Sequence, residues 1–305
     1  MKNGKNEELV YLEILDARGV LFGEKRKEKL YTYTMGYEGE REFLEWSQRY
    51  LHSNWRIEND FWFLDGKAMQ ADFILMSAYI WNLIEVKNYY GHFTYKDGLC
   101  WHNNKLIDDD IFDVMKQRIN RIGKIAVAVD HRIEVRPVFV FINQHGQLHM
   151  HQKPPFEVLQ RNQLVEFLEG LGYVEPMTAN LSNRITQQLD RNRIAYGINY
   201  TRLDPTVLTQ MRKGIYCANC KSFEVNINKP GIQCRQCGTK ESIESVICRH
   251  AKELSIIVHN LPEMLNSKNL NFLMANQLSL RTTRKYLSKN FEKEGKSRKT
   301  YYKIK

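Results

Sequence analysis

The hydrophobic pattern of residues 36–143 predicts a helix, three strands, a second helix and a fourth strand. The first helix is predicted over 36–51, where apolar residues recur at every third or fourth position. Three short runs rich in aromatic and β-branched residues predict strands at 55–64, 71–76 and 80–88. After a short hairpin at "YKDG", the second helix has an inward face formed by Ile111, Val114, Met115, Arg118 and Ile122. Residues 134–143 predict the last strand, so the order is α-β-β-β-α-β.

Further along the chain, two more helices are predicted near 156–171 and 178–193, and the character of the sequence changes at Gly214. The predicted domains are an N-terminal extension (1–35), an α/β domain with trailing helices (36–200), a cysteine-bearing module (212–245) and a basic module resembling a helix-turn-helix (250–305).

The composition is that of a globular protein, with 43% hydrophobic and 11% aromatic residues among 305. Charges interrupt every window of the N-terminus, which is unlike a signal peptide. The uncharged apolar runs are far shorter than the roughly 20 residues that a membrane helix needs. We therefore expect a soluble, cytoplasmic and bacterial protein with no membrane partner.

Two acidic residues and a lysine stand within apolar strands. A hairpin turning at Ala78–Tyr79 places Asp72 opposite Glu85, and alternation along the strand puts Lys87 on the same face as Glu85. Opposed carboxylates, with Cβ atoms about 4.5–5.5 Å apart, repel each other unless a cation lies between them. Mg²⁺ prefers such oxygen ligands and can activate water for phosphodiester hydrolysis. The alternative is that Glu85 and Lys87 merely mark the solvent end of a strand.

These residues fall in stretches that resemble the nuclease-related domain (NERD) family of the PD-(D/E)xK nuclease superfamily. The similarity spans residues 34–145 and is carried by "GYEGE" (36–40), "ADF" (71–73), "IEVKNYYG" (84–91), Trp101 and Gln117. It implies a restriction-endonuclease-like fold, a mixed sheet flanked by helices, and divalent-metal-dependent cleavage of nucleic acid.

The resemblance also implies site residues. The catalytic residues would be Asp72, Glu85 and Lys87, with Glu40 and Gln117 as supporting groups, and Mg²⁺ or Mn²⁺ would be held at Asp72, Glu85 and Val86. Acidic side chains flank Glu40 on both sides, and we choose Glu40 over Glu38 and Glu42 because it shares the inward face of the first helix.

Four of the six cysteines form C-x2-C, thirteen residues, C-x2-C, and they are Cys217, Cys220, Cys234 and Cys237. Four thiolates at this spacing predict a closed, structural Zn²⁺ site, and the segment resembles a zinc ribbon. A redox role for one CxxC pair would leave the second pair unexplained. Cys248 and His250 are an alternative pair of ligands.

The net charge of +10 is concentrated at the C-terminus, where residues 249–305 contain 13 Lys/Arg against 4 Glu and no Asp. Such a surface favours a polyanion through phosphate contacts, although a solvated charged face is the alternative. The segment resembles a winged helix-turn-helix with Phe272, Leu273, Leu280, Tyr286 and Leu287 packing inward. The residues predicted to contact nucleic acid are Arg281, Arg284, Lys285, Lys289, Lys296, Arg298 and Lys299.

Together these features predict a metal-dependent nuclease that acts on DNA and carries its own targeting modules. RNA is an alternative substrate, because both polymers share the phosphodiester linkage. Two other functions stay open: a non-catalytic DNA-binding protein that retains a nuclease fold, and an adaptor whose zinc module recruits DNA-processing proteins such as a helicase. A pair of helices docking on another subunit is the alternative to a DNA-binding C-terminus.

Overall fold

The structure is a computed structural model that describes residues 5–107, 111–195, 204, 206–228, 230–259, 261–296 and 299–304. The chain folds as two compact units, of which unit 1 spans Tyr31–Gly197 and unit 2 combines Lys5–Leu30 with Ile198–Lys305. No helix in the described ranges is long and apolar enough to cross a membrane.

The helices and strands of the first 195 residues alternate as the hydrophobic pattern suggests. They are α1 (Glu7–Ala17), α2 (Glu24–Tyr50), β1 (Arg56–Asp65), β2 (Lys67–Met76), β3 (Ile80–Lys87), β4 (Gly91–Lys96), β5 (Leu99–His102), β6 (Lys105–Leu106), α3 (Ile111–Val129), β7 (Glu134–Phe141), β8 (Gly146–Met150), β9 (Glu157–Gln160), α4 (Leu164–Gly170) and α5 (Ala179–Asn192).

The remaining elements are short apart from two helices. They are α6 (Val207–Gln210), β10 (Val225–Ile227), β11 (Gly231–Cys234), β12 (Lys240–Ser242), α7 (Ile243–Ile257), α8 (Ser267–Leu273), α9 (Leu280–Asn290), β13 (Glu292–Glu294) and β14 (Tyr301–Lys303).

Unit 1 is built on a mixed sheet with the strand order β1-β2-β3-β7-β9. The first three strands are antiparallel hairpins, whereas β3, β7 and β9 run parallel. Parallel neighbours need a crossover, and α3 is the helical part of the crossover between β3 and β7. A second sheet, in the order β6-β5-β4-β8, continues from the end of β3.

Apolar side chains cover both faces of the mixed sheet. One core includes Phe63, Met115, Ile122, Phe139 and Leu189, and so joins the sheet to α3 and α5. The other core joins the opposite face to α2 and α4 and includes Phe43, Phe73, Ile84, Val140 and Leu168. The predicted mixed α/β sheet flanked by helices is confirmed.

Two element boundaries of unit 1 differ from the sequence prediction. The helix predicted at 156–171 is wrong in its first half, because Glu157–Gln160 pairs with the open edge of β7 as a strand. The helix predicted from residue 36 begins at Glu24. Its first turns are rich in Lys and Glu, which have high helix propensity without forming an apolar face.

Unit 2 has a core of its own, in which α1 and α7–α9 pack around Leu15, Val246, Leu254, Leu273 and Leu287. The predicted N-terminal extension therefore differs from the structure, since α1 belongs to this core. The strands β10-β11-β12 form a three-stranded sheet, and β13 and β14 form a hairpin after α9.

The helices α8 and α9 expose more apolar surface than the sequence predicts. Leu273 and Leu287 pack inward as predicted, and Tyr286 is half-buried against the core. Phe272 and Leu280, in contrast, are exposed by 49% and 38%. The reason is the short α8, which turns Leu270 and Leu273 to the core and therefore turns Phe272 outward.

A buried ion network holds α1 against α7 within unit 2. Arg18, fully buried, donates to Glu253 Oε2 at 3.1 Å, and His250 Nδ1 lies 2.9 Å from the same oxygen. The Tyr216 hydroxyl donates to Glu253 Oε1 at 2.6 Å. Burial alone would raise the pKa of Glu253, but His250 and Arg18 hold it well below its usual range. The network thus keeps the Glu253 carboxylate ionised and joins it to Tyr216, the residue that precedes Cys217.

Candidate active site and cysteine cluster

The β2–β3 hairpin has the register that the sequence predicts. Phe73 pairs with Ile84, and the pairing continues to Met76 and Trp81. One step before Phe73, Asp72 therefore lies beside Glu85. The backbone N–H of Val86 donates to Asp72 Oδ2 at 2.9 Å, which fixes the aspartate against the neighbouring strand.

Glu85 is held by two cations. Lys87 Nζ donates to Glu85 Oε1 at 2.7 Å, and Arg118, from α3, donates to Oε2. Asp72 and Glu85 are only 8% and 5% exposed. Two carboxylates and two cations are thus desolvated together at one point of the sheet.

The two opposed carboxyl groups differ in protonation. Burial and then the charge of Glu85 raise the pKa of Asp72 from 3.8 to about 7. Burial also opposes ionisation of Glu85, but Lys87 and Arg118 outweigh it and lower the pKa of that carboxyl. At pH 7 about half of the molecules therefore carry a proton shared between the two carboxyl groups, which lies on Asp72.

Lys87 stays charged in this environment. Burial disfavours the ammonium, but Glu85, Tyr89 and Asp72 more than compensate and raise its pKa above the ordinary value of 10.5. The lysine is thus a permanent positive charge at the end of β3.

Glu40 reaches the same cluster from α2. Burial and the charges of Asp72, Asp60 and Glu85 raise the pKa of Glu40 well above 4.5. The close approach of α2 depends on Gly39, since a Cβ there would lie 2.8 Å from the Asn88 Cβ. Of its acidic neighbours on α2, Glu38 is exposed and Glu42 pairs with Arg161.

The structure does not bring all predicted residues together. Gln117 is exposed on α3, and it is the next residue, Arg118, that binds Glu85. A signal for Arg118 was present in the sequence, because an arginine on the apolar face of a helix needs a partner.

Asp60 was also missed. It has a left-handed φ of 53° and accepts hydrogen bonds from Trp62 Nε1 at 2.7 Å and Gln70 Nε2 at 2.9 Å. A signal for Asp60 was present in the β1–β2 hairpin. Because this hairpin turns at Asp65–Lys67, its register places Asp60 opposite Asp72.

A divalent cation fits the chemistry of this donor set. Burial makes each negative charge costly here, and the neighbouring carboxylates raise the pKa of Asp72 and of Glu40 further. A cation bound between Asp72 and Glu85 would take the place of the shared proton. Val86 holds Asp72 in position through its backbone N–H.

The four cysteines of the C-x2-C pairs converge in unit 2. Their sulfur atoms all lie within 4.8 Å of one another, with 3.5 Å from Cys217 to Cys237 and from Cys220 to Cys234. Sulfurs bound at about 2.3 Å to one tetrahedral Zn²⁺ lie about 3.8 Å apart, so the cluster could bind zinc. A metal ion can be shared where at least three His, Cys, Asp or Glu side chains lie close together. Among the described residues, the four cysteines form such a group.

The arrangement is consistent with a zinc ribbon. Three short strands, β10–β12, support the two cysteine pairs. His250 of the alternative pair is instead bound to Glu253.

The predicted nucleic-acid contacts lie on α9 and the hairpin that follows it. The exposed residues are Arg281, Arg284, Lys285, Lys289, Lys296 and Lys299. Two are already engaged, since Lys289 pairs with Glu244 at 2.9 Å and Arg284 Nε donates to Ser267 Oγ at 3.3 Å. Arg298 lies outside the described residues.

Comparison with family models identifies a match in unit 1. Residues 35–142 match the family model described as the nuclease-related domain, NERD, which confirms the resemblance inferred from the sequence. No curated protein and no solved structure matches the chain. The match covers α2 from residue 35, the hairpins of β1–β3, and α3 and β7, and hence every residue of the acidic cluster. Over residues 35–142, this chain is therefore similar to the nuclease-related domain family.

Proposed function

We propose that unit 1 hydrolyses phosphodiester bonds of nucleic acid, with DNA as the substrate and Mg²⁺ or Mn²⁺ as the cofactor. The observation that carries the proposal is the convergence of Asp72, Glu85 and Lys87 in a buried site within the nuclease-related domain. Such a site concentrates charge where a phosphate would bind, which is the main requirement for stabilising its transition state.

Asp72, Glu85 and the backbone of Val86 would hold the cation. When bound, a divalent cation polarises the scissile phosphate and lowers the pKa of a coordinated water. Asp72 must give up its proton to become a ligand, and its pKa of about 7 makes this possible at neutral pH. The raised pKa of Lys87 excludes a role as general base at neutral pH. Its ammonium would instead stabilise the charge that builds on the phosphate oxygens.

Glu40 and Arg118 would complete the site. Arg118 fixes Glu85 from the side of α3 and offers a second positive charge near the phosphate. Glu40 keeps its proton to a higher pH than an exposed glutamate, because of burial and of the neighbouring Asp72. It can therefore donate a hydrogen bond to a water or a phosphate oxygen and accept one after deprotonation.

We infer that unit 2 targets the enzyme to DNA. Its cysteine cluster would bind a structural Zn²⁺ with no open position for substrate. The exposed basic side chains of α9 and the β13–β14 hairpin would contact phosphates, in the manner of a winged helix. An adaptor role for this unit would instead involve DNA-processing proteins.

The test is cleavage of plasmid DNA and of a single-stranded oligonucleotide with Mg²⁺ or Mn²⁺ by the full chain and three variants. Glu85→Gln and Lys87→Met keep the size of each side chain and should lower cleavage at least 100-fold, while circular dichroism stays unchanged. Lys67→Met, an exposed lysine at the start of β2, is the matched control and should cleave normally. Equal cleavage by all four proteins would refute the proposal.

A second function is favoured by the exposed basic residues of unit 2. If neither the full chain nor any variant cleaves DNA, but the full chain binds it, the protein is a non-catalytic DNA binder. Phosphate-mediated binding must then weaken steeply with salt. Neutralising Arg281 and Lys285 together should reduce the slope of log K against log salt by about 2.

A further inference from the structure

A cleft of about 310 Å³ opens in unit 1 at the end of the strands that carry the acidic cluster. This volume lies at the lower end of the roughly 300–1,000 Å³ typical of small-ligand sites. Three kinds of side chain line it: aromatic rings, amides and one guanidinium. The main ones are Trp46, Tyr89, Asn143, Gln147, Arg161 and Asn162.

The cleft adjoins the proposed site of hydrolysis. Lys87 is the last residue of β3, and Tyr89 lies two residues further on, so their Cα atoms are at most about 7 Å apart. Across the cleft, Asn143 Nδ2 donates to Asn88 Oδ1 at 2.8 Å, and Asn88 Nδ2 donates to the carbonyl of Met35 on α2 at 2.8 Å. The wall of the cleft and the strand end with Lys87 are thus fixed to each other.

The aromatic and cationic groups of the cleft are held in place before any ligand binds. The Arg161 guanidinium lies 4.8 Å from the centre of the Trp46 ring, pairs with Glu42, and donates to the carbonyl of Ile142 at 2.8 Å. Tyr89 stacks on His102 at 4.8 Å. Flat aromatic and guanidinium surfaces of this kind are what nucleobases stack on.

The amides supply the hydrogen-bonding part of the cleft. Gln147 and Asn162 are exposed, and each offers one acceptor and two donors. An amide can therefore pair with the donor and acceptor pattern on the edge of a base. In a duplex the Watson–Crick edge is already engaged, so a pocket that reads it must receive an unpaired base.

We propose that this cleft binds one unpaired base of a single-stranded nucleic acid, adjacent to the phosphate held at the acidic cluster. The proposal rests on the function proposed for unit 1 and names its substrate class: the enzyme acts on single strands or on unpaired ends. The base stacks on the Trp46–Arg161 pair, Gln147 and Asn162 contact its edge, and the backbone passes Lys87.

Photocrosslinking of a short single-stranded oligonucleotide that contains 4-thiothymidine tests this directly. The full chain is irradiated without added divalent cation, so that no cleavage is needed, and crosslinked peptides are identified by mass spectrometry. We expect crosslinks to peptides containing Trp46, Tyr89 or residues 143–162. Crosslinks to unit 2 serve as an internal reference for each protein.

The variants separate stacking from folding. Loss of one base–aromatic contact weakens binding about 5- to 140-fold. At subsaturating oligonucleotide, Trp46→Ala should therefore lower the yield of unit 1 crosslinks by that factor. Trp46→Phe retains a ring and should restore most of the yield, and Gln147→Leu, at an exposed position, should reduce it. The matched control is Tyr31→Ala, an exposed ring on α2 about 22 Å along the helix from Trp46.

The inference is wrong if crosslinks form in unit 2 alone. It is also wrong if Trp46→Ala and the full chain give equal yields of unit 1 crosslinks. A complementary strand should abolish the unit 1 crosslinks, and unchanged yields with duplex would refute selection for unpaired bases. Crosslinks in the cleft without cleavage of the same single-stranded oligonucleotide in Mg²⁺ or Mn²⁺ would support this inference and reject hydrolysis. Cleavage without such crosslinks would do the reverse.

Discussion

Replacing Asp72 by asparagine should stabilise unit 1 without metal and abolish its activity. The asparagine amide resembles the protonated aspartate: its oxygen can accept the Val86 N–H, and its nitrogen can donate to Glu85. The variant therefore keeps the geometry of the metal-free site but never has to ionise. Wild-type Asp72, in contrast, must bury a negative charge next to Glu85 whenever it loses its proton.

The size of the effect follows from the pKa of Asp72, which is 3.8 for an ordinary aspartate and about 7 here. Because the pKa is raised in the folded protein, protonated Asp72 stabilises the folded state. This stabilisation is fully present below pH 3.8 and is lost as the pH rises to 7. The destabilisation of the wild type is then about 2 kcal/mol at pH 5 and about 4 kcal/mol at pH 8. The advantage of Asp72→Asn should grow by about 2 to 3 kcal/mol over this interval.

The assay is urea unfolding without divalent cation, followed by tryptophan fluorescence. All five tryptophans lie within unit 1, so the signal reports on that unit alone. Asp65→Asn, at the exposed turn of the β1–β2 hairpin, is the control and should follow the wild type at every pH. Parallel stability curves for Asp72→Asn and the wild type between pH 5 and pH 8 would show that Asp72 is not protonated in the fold.

Mg²⁺ should raise the free energy of unfolding of the wild type but not that of Asp72→Asn. At 100 times the dissociation constant, a cation that binds only the folded state stabilises it by about 2.7 kcal/mol. The wild type at pH 8 should show this gain, and Asp72→Asn should not. An equal gain for both would place the cation elsewhere.

Three further predictions concern other parts of the molecule. Gly39→Ala should displace α2 from Asn88, lower cleavage at least tenfold and destabilise unit 1 by about 1–3 kcal/mol. Gly36→Ala, with open space around its Cβ, is the control: it should cleave normally and leave the stability of unit 1 unchanged or increased. Cys234→Ser should reduce bound zinc, measured by atomic emission, from one ion per chain to near zero, whereas Cys248→Ser should leave it at one. Glu253→Gln should destabilise unit 2 by about 3–5 kcal/mol in urea unfolding followed by far-UV circular dichroism, because it leaves Arg18 charged and buried, while the exposed Glu263→Gln should have no effect.

Short spacings allowed the sequence to predict the central part of the candidate site. Asp72, Glu85 and Lys87 lie on one hairpin, whose register depends on a short turn and on strict alternation of side chains. Each cysteine pair is equally local, since the two sulfurs of one C-x2-C lie within 4.8 Å of each other.

Contacts between distant segments were beyond the sequence. The choice of Arg118 over Gln117 depends on how α3 is rotated against the sheet, and a helical period resolves that angle poorly. The strand Glu157–Gln160 forms because the edge of β7 is open to it, a feature of the assembled sheet rather than of those four residues.

By itself, the sequence determined the α-β-β-β-α-β order, the acidic pair with its lysine, and the four-cysteine cluster, because each depends on the pattern within single elements, on one hairpin, or on a recognisable spacing of cysteines. Only the tertiary structure decided that Glu40, Asp60 and Arg118 join the acidic cluster and that Trp46 and Arg161 share a cleft. Those residues come from different elements, and packing of the helices on the sheet sets their distances. No periodicity along the chain records that packing.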